Sequence, residues 1–434
     1  MKHFIIILLA CLSLSSCVEM RQDFDKLPPG IWRGELIIGN RNFITGENDE
    51  EVITGINELS DNSLPFNFEI KYNDQNEMVF YFINGEERIE VKEVEHEMTH
   101  RDVKDSVTVH FPEFGSYLAA KYESNGMTGS FNIPDKNNYT IPFTAKYGEA
   151  HRFTVLKKEP EWDLTGNWEC VFEEGTDDAY KAIGEFKQEG NMLSGTFRTE
   201  TGDYRFLEGT VQGNKAYLSV FDGTHAFLFT IKKVDQDNII GTFKSGKHYR
   251  AAWSAKRNNE YELTDPSELT YLVEDNPTID FDFTGTDGKQ LSINDDIFKD
   301  KVKIVSIMGT WCPNCKDEMI FLNEVKEKYA NDIEVMAVGF ERPKNKKKAL
   351  ETLQKYSDKM ELKFPIVYGG ALSKPLASET FPFLNKIISF PTLMIIDKDN
   401  KVNYIHTGFN GPATSKFEPF VKEFYDELEK SMKS

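Results

Sequence analysis

The rhythm of apolar and polar positions changes along this chain, and the change divides it. From about residue 30 to residue 257 the apolar residues come in short runs between turn signals, which is the pattern of strands rather than helices. In the later half of that stretch the runs predict strands at 166–173, 181–188, 191–198, 203–211, 215–221, 225–233, 238–244 and 248–256. Between them stand Glu189-Gly190, Thr201-Gly202, Gly213-Asn214, Asp222-Gly223 and Ser245-Gly246, pairs suited to tight hairpins. Strands joined this way make an up-and-down meander, which buries its apolar face by curling into a small barrel or sandwich. Residues 258–273 are polar and acidic and read as a linker.

Beyond residue 274 the pattern alternates. Ile279 to Phe283, the Asp287-Gly288 turn and Leu291 to Ile293 predict a hairpin. Val302, Ile304, Val305, Ile307 and Met308 then form a nearly continuous apolar run, with the length and β-branching of a buried strand. Met319, Ile320, Leu322, Val325 and Tyr329 follow at steps of three and four, one face of a helix. Strands at 333–340 and 364–368, a helix near 345–359, strands at 392–397 and 402–406 and an amphipathic helix from about 415 complete the series. Alternation of this kind is α/β. The whole chain is therefore predicted to be multidomain, with two tandem β-rich units ahead of an α/β domain.

The β-rich half carries the same landmarks twice. Gly129-Ser130-Phe131, followed by Ala145-Lys146, recurs as Gly241-Thr242-Phe243, followed by Ala255-Lys256. Each set opens on a Trp beside a Gly, as Trp32-Arg33-Gly34 and as Gly166-Asn167-Trp168. The expected units are 30–150 and 162–257, the second a repeat of the first. A lipocalin-like barrel is the nearest architecture. No residue signature supports ligand carriage, so a spacer or partner-docking role stands beside it.

At the start of the chain, Lys2 and the apolar run Phe4 to Leu12 read as an export signal, too short to span a bilayer. The run ends Leu14-Ser15-Ser16-Cys17, which resembles the lipobox of bacterial lipoproteins. That resemblance implies a signal peptide over 1–16, acylation of Cys17 as a membrane anchor, and a tether over 17–29. A net charge of −20 would repel a phosphate backbone and argues against nucleic acid as a partner. Of the five cysteines, Cys11 falls in the signal, and Cys170, in a predicted strand, reads as a buried small hydrophobe.

Cys312 and Cys315 carry the chemistry. They sit in Thr310-Trp311-Cys312-Pro313-Asn314-Cys315, where the buried strand ends and the helix begins. Free N–H groups and the positive end of the helix dipole favour a thiolate there, and a thiolate is the nucleophile. A zinc site is the competing reading, but the chain has no second Cys pair. A structural disulfide would not require the strand-to-helix setting.

This motif, the hairpin before it, Phe390-Pro391-Thr392 followed by an apolar strand, and the insertion between strand and helix resemble the TlpA/ResA branch of the thioredoxin-like proteins over residues 274–434. The resemblance implies a disulfide oxidoreductase with no organic cofactor or metal. It implies that Pro391 is cis and faces the dithiol, that Phe390 and Trp311 lie at the substrate, and that Glu318 is a buried acid serving Cys315. Ser306 stands where classical thioredoxins have an Asp. With the export signal, the reading is an envelope lipoprotein on the periplasmic side that reduces disulfides of exported proteins, using electrons from a membrane dithiol donor. A redox sensor or docking lipoprotein is the alternative. A peroxiredoxin is disfavoured, because Val305 stands where its motif needs a Pro.

Overall fold

The structure, a computed structural model, describes residues 27–39, 62–97, 105–123, 125–275 and 277–433. The signal segment, Cys11, Cys17, most of the tether and residues 40–61 lie outside them.

Two nine-stranded antiparallel sheets come first. Gly30–Ile37 lies between Ser63–Tyr72 and Tyr139–Tyr147 in one, and Gly166–Phe172 lies between Tyr180–Glu189 and Tyr249–Arg257 in the other. Both sheets thus have their first strand beside their last. The second closes on itself, because Tyr180–Glu189 pairs on its far side with Met192–Thr199. The first has no pairing between Glu87–Val91 and Val94–Glu97. Alternation puts the apolar face inward on each strand, as in the buried Trp32, Gly34 and Leu36. The landmark glycines make close approaches: a Cβ on Gly129 would meet the Ala119 carbonyl oxygen at 1.9 Å, and one on Gly241 that of Thr230 at 2.2 Å.

Trp32 donates from its indole to Pro28 O at 3.1 Å, and Trp168 to Leu164 O at 2.9 Å, so each leading Trp clips the chain four residues upstream. Aromatic rings fill both interiors. Phe221 belongs to the second sheet by pairing but packs in the first core, 4.6 Å from the Phe66 ring. Burying one such side chain is worth about 1.5–3 kcal/mol, which ties the two sheets together.

The segment 258–273 runs packed along the surface. Glu262 pairs with Arg198 and Lys416, Thr270 is buried, and Val273 N–H donates to Phe383 O at 2.9 Å.

The last sheet runs Gln290–Ser292, Asp282–Gly285, Ile366–Ala371, Ile333–Glu341, Val302–Met308, Thr392–Ile396, Val402–Thr407. Its centre is parallel, and every residue of Val302–Met308 and Ile333–Glu341 is buried, as a continuous apolar run requires. The helices Pro313–Lys328, Lys346–Met360 and Phe417–Lys433 match the predicted positions. A further short helix, Lys374–Thr380, lies in a stretch that showed no periodicity.

One predicted strand is corrected. The stretch 203–211 is broken into Gly202–Asp203 and Leu207–Gln212. At the break Arg205 takes a positive φ of 65°, with its N–H on Asp203 Oδ1 at 2.7 Å. Its side chain leaves the sheet for carboxylates on the other two units.

Candidate active site

Val302–Met308 ends beneath the motif, and the chain turns at once into the helix Pro313–Lys328. Cys312 is the N-cap of that helix and Pro313 enters its first turn, where no N–H is needed. The Cys312 Sγ accepts the Cys315 N–H at 3.3 Å, so a backbone donor already points at this sulfur. It also approaches Phe390 O at 3.3 Å, as donor. The Phe390–Pro391 peptide is cis. Cys312 is 7% exposed and Cys315 fully buried. Burial and the neighbouring Cys312 sulfur hold the Cys315 thiol well above its ordinary range.

Glu318 lies one turn further along the same helix, fully buried beneath the dithiol. Ser306 Oγ donates to its Oε2, while Oε1 has no partner. Burial pushes its carboxyl up to about 8, against the lowering effect of Ser306.

Trp311 packs edge-on to Phe390, ring centres 5.7 Å apart, and donates its indole N–H to Phe340 O at 2.9 Å. The sequence-predicted residues Trp311, Cys312, Cys315, Glu318, Phe390 and Pro391 are thus brought together. Cys17 lies outside the described residues.

Other residues of the site were not anticipated. Glu341, at the end of its strand and buried, accepts Thr310 N–H at 2.9 Å and Thr310 Oγ1–H at 2.7 Å, so one carboxyl grips the residue two before Cys312. Arg342 stands 5.7 Å from the Trp311 ring centre. Neither carried a local signal beyond a polar end to an apolar strand.

The β-rich units complete the surroundings. A cleft of about 540 Å³ opens onto Cys312 and is walled by Ile133 and Tyr139 from the first unit and Tyr180, Tyr204 and Tyr249 from the second. The turn around Thr201-Gly202 lies across the motif. Asn314 Nδ2 donates to Asp203 O at 3.4 Å, Ser389 Oγ to Thr201 O at 2.8 Å, and Gly411 N–H to Asp203 Oδ2 at 2.7 Å. The sequence predicts only a hairpin there. Among the described residues no three His, Cys, Asp or Glu side chains are grouped to share a metal ion.

A thiol at a helix start, a second thiol buried behind it and a buried acid with one free oxygen describe a redox dithiol on a thioredoxin-like scaffold. Residues 274–419 match the family described as Redoxin, and the C-terminal third of the chain is a Redoxin domain. Among curated relatives, the thioredoxin-like protein YneN of Bacillus subtilis (strain 168) is 26% identical over 129 residues, 30% of this chain and 68% of that protein. The thiol-disulfide oxidoreductase ResA of Bacillus thuringiensis subsp. konkukian (strain 97-27) is 31% identical over 128 residues, 28% of this chain and 62% of that protein. A solved structure of a putative thiol:disulfide interchange protein DsbE from Chlorobium tepidum is 21% identical, with a TM-score of 0.29, over 36% of this chain and 99% of that one. The chain spans just under two thirds of the ResA protein's own length.

Proposed function

We propose that this protein is a thiol-disulfide oxidoreductase that reduces disulfides of exported proteins through Cys312 and Cys315. The observation that carries the reading is the Cys312 sulfur, set at a helix start and opposite Phe390 O, with Cys315 and Glu318 buried directly behind it.

Cys312 as thiolate attacks one sulfur of the substrate disulfide. A Cys312–substrate disulfide forms, and the other substrate sulfur leaves as a thiolate that takes a proton. Glu318, as carboxylate, takes the Cys315 proton, and the Cys315 thiolate attacks the Cys312 sulfur. The substrate leaves as a dithiol, two electrons richer, and the protein holds a Cys312–Cys315 disulfide. A carboxyl near neutrality suits a group that must both take and return that proton. A partner dithiol, on a membrane donor, returns the two electrons. Trp311, Phe390 and Pro391 form the wall along which an extended substrate segment lies.

Cys17 anchors the protein to the membrane on the periplasmic side of the envelope, as its lipobox-like sequence supports. Among the described residues no helix is long and apolar enough to cross a membrane.

Trapping tests the reading. The Cys315→Ser variant should accumulate mixed disulfides with exported proteins, and Cys312→Ser should not. Equal trapping by both variants, or by neither, would overturn it. Cys17→Ala should lose membrane fractionation; unchanged fractionation would remove the anchor.

A further inference from the structure

The net charge of the chain is −20, yet one side of the cleft above Cys312 gathers Lys136, His248 and Arg342, while its two lining carboxylates, Glu200 and Asp203, lie on the turn around Thr201-Gly202. Lys136 comes from the first β-rich unit, His248 from the second and Arg342 from the Redoxin domain. Lys136 Nζ lies 3.0 Å from His248 Nε2 and 4.9 Å from the Tyr139 ring centre. His248 Nδ1 in turn faces the Tyr139 hydroxyl at 3.3 Å. The ammonium is thereby held in place by a neutral imidazole and a ring face rather than by a counter-ion. Arg342 lies against Trp311 and, like Lys136, has no ion pair among the described residues.

The acids near this rim are otherwise engaged or more distant. Glu341 is buried and bonded to Thr310, Glu200 accepts from Thr264 Oγ1 at 2.6 Å, and Asp203 accepts from Arg205 and Gly411 N–H groups. The charges of Glu341 and of the exposed Asp135 reach Arg342, but among the described residues neither comes within ion-pair distance of it. Burial first, and then the Arg342 charge, push Lys136 down to about 8. Two like charges at a half-buried rim, neither in contact with a counter-ion, cost free energy that an anion placed between them would recover. The cleft volume falls in the range of sites that enclose a ligand segment.

We propose that Lys136, His248 and Arg342 form an anion site that receives a carboxylate lying beside the substrate's disulfide, so that the β-rich units select acidic disulfide segments for Cys312. The inference rests on the oxidoreductase reading for its purpose. Its geometry comes from the three-way meeting of the units. Two sources carry such a carboxylate: an Asp or Glu next to a peptide disulfide, and a small carboxylate disulfide such as glutathione disulfide.

The test uses the full chain in two arms. In the first, labelled peptides of one length, with Ser replacing the disulfide cysteines and flanked by Asp, Ser or Lys, are titrated by fluorescence anisotropy. This arm needs no turnover, so it decides the anion site even if no disulfide is reduced. In the second, reduction rates are compared for the matching disulfide peptides and for glutathione disulfide. The Asp peptide should bind roughly tenfold tighter than the Ser peptide at low salt, and less so as salt rises. The preference should vanish in the Lys136→Met, Arg342→Met double variant. In Lys136→Glu it should turn towards the Lys peptide, which a merely misfolded variant could not show. A peptide source shows the same preference in the peptide rates; a small-disulfide source shows it as a glutathione disulfide rate that falls in the double variant. Equal binding of all three peptides, or a preference that survives in the double variant, would overturn the proposal.

Discussion

Gly202 lies so close to Asn314 that a Cβ on it would sit 1.9 Å from the Asn314 amide nitrogen. Gly202 also has φ +139°, a conformation that side-chain-bearing residues rarely adopt. One residue of the second β-rich unit is thereby pressed against the spacer between the two motif cysteines. Gly202→Val should push this turn off the motif and break the Asn314–Asp203 contact. Native Cys312 should then be alkylated several-fold faster than in the unaltered protein. An unchanged alkylation rate would show that the turn does not limit access to the sulfur.

Arg205 binds the three units at one point. It pairs with Glu87 at 2.5 Å and with Asp317 on the motif helix, and its Nε lies 3.9 Å from Asp222. Asp317 is pushed up to about 6 by burial, against the opposing effect of Arg205. Arg205→Met should therefore destabilise the protein by about 2–4 kcal/mol at neutral pH, because it leaves the largely buried Glu87 and Asp317 and the buried Asp222 without this cation. Without the Arg, the Asp317 carboxyl rises further above its ordinary 3.8. The loss should be largest above about pH 6 and shrink as acid protonates the group. Thermal midpoints of both proteins at about pH 5 and pH 8 measure this, and a gap that does not narrow in acid would refute it.

Cys170 should be inert. It is fully buried, its Sγ lies 3.2 Å from Trp168 O, and burial pushes its thiol far up. Peptide-resolved alkylation of the native protein should leave Cys170 unmodified, with labelling appearing only in denaturant. Labelling at a rate comparable to Cys312 would contradict the packing.

How much of this was legible depends on where each determinant lies. Val302–Met308 could be read because a strand covered on both faces must be apolar at nearly every position. The landmark glycines Gly129 and Gly241 could be read because they answer to close backbone approach, a local demand. The break at Arg205 could not, since the groups that draw its side chain away, Asp317 and Glu87, are 112 and 118 residues distant. Glu318 was found through a motif resemblance. The rim of Lys136, His248 and Arg342 has no motif, because each residue is an ordinary polar surface side chain until three units meet. The helix Lys374–Thr380 is too short to show periodicity, and Ser373 capping Leu376 N–H is the sequence feature that starts it.

The buried acid gives a prediction with a definite sign. Burial raises the Glu318 carboxyl from an ordinary 4.5 to about 8. Between those values the unfolded chain has released a proton that the folded chain still holds. Each rise in pH across that window therefore favours unfolding, by about 1.4 kcal/mol per pH unit per proton, and the effect levels off above about 8, where both states are ionised. Glu318→Gln keeps the shape and has no proton to lose. The reduced variant should therefore gain stability relative to the unaltered reduced protein steadily from about pH 5 to about pH 8, then hold a constant advantage. Asp203 and Asp317 shift in the same direction and tilt both curves alike, so the difference between the two proteins isolates Glu318. The variant should also resolve Cys312 mixed disulfides more slowly, having lost the base for Cys315. A stability difference that stays flat across the window would mean that Glu318 ionises as an ordinary carboxylate, and the proton transfer assigned to it would fall with it.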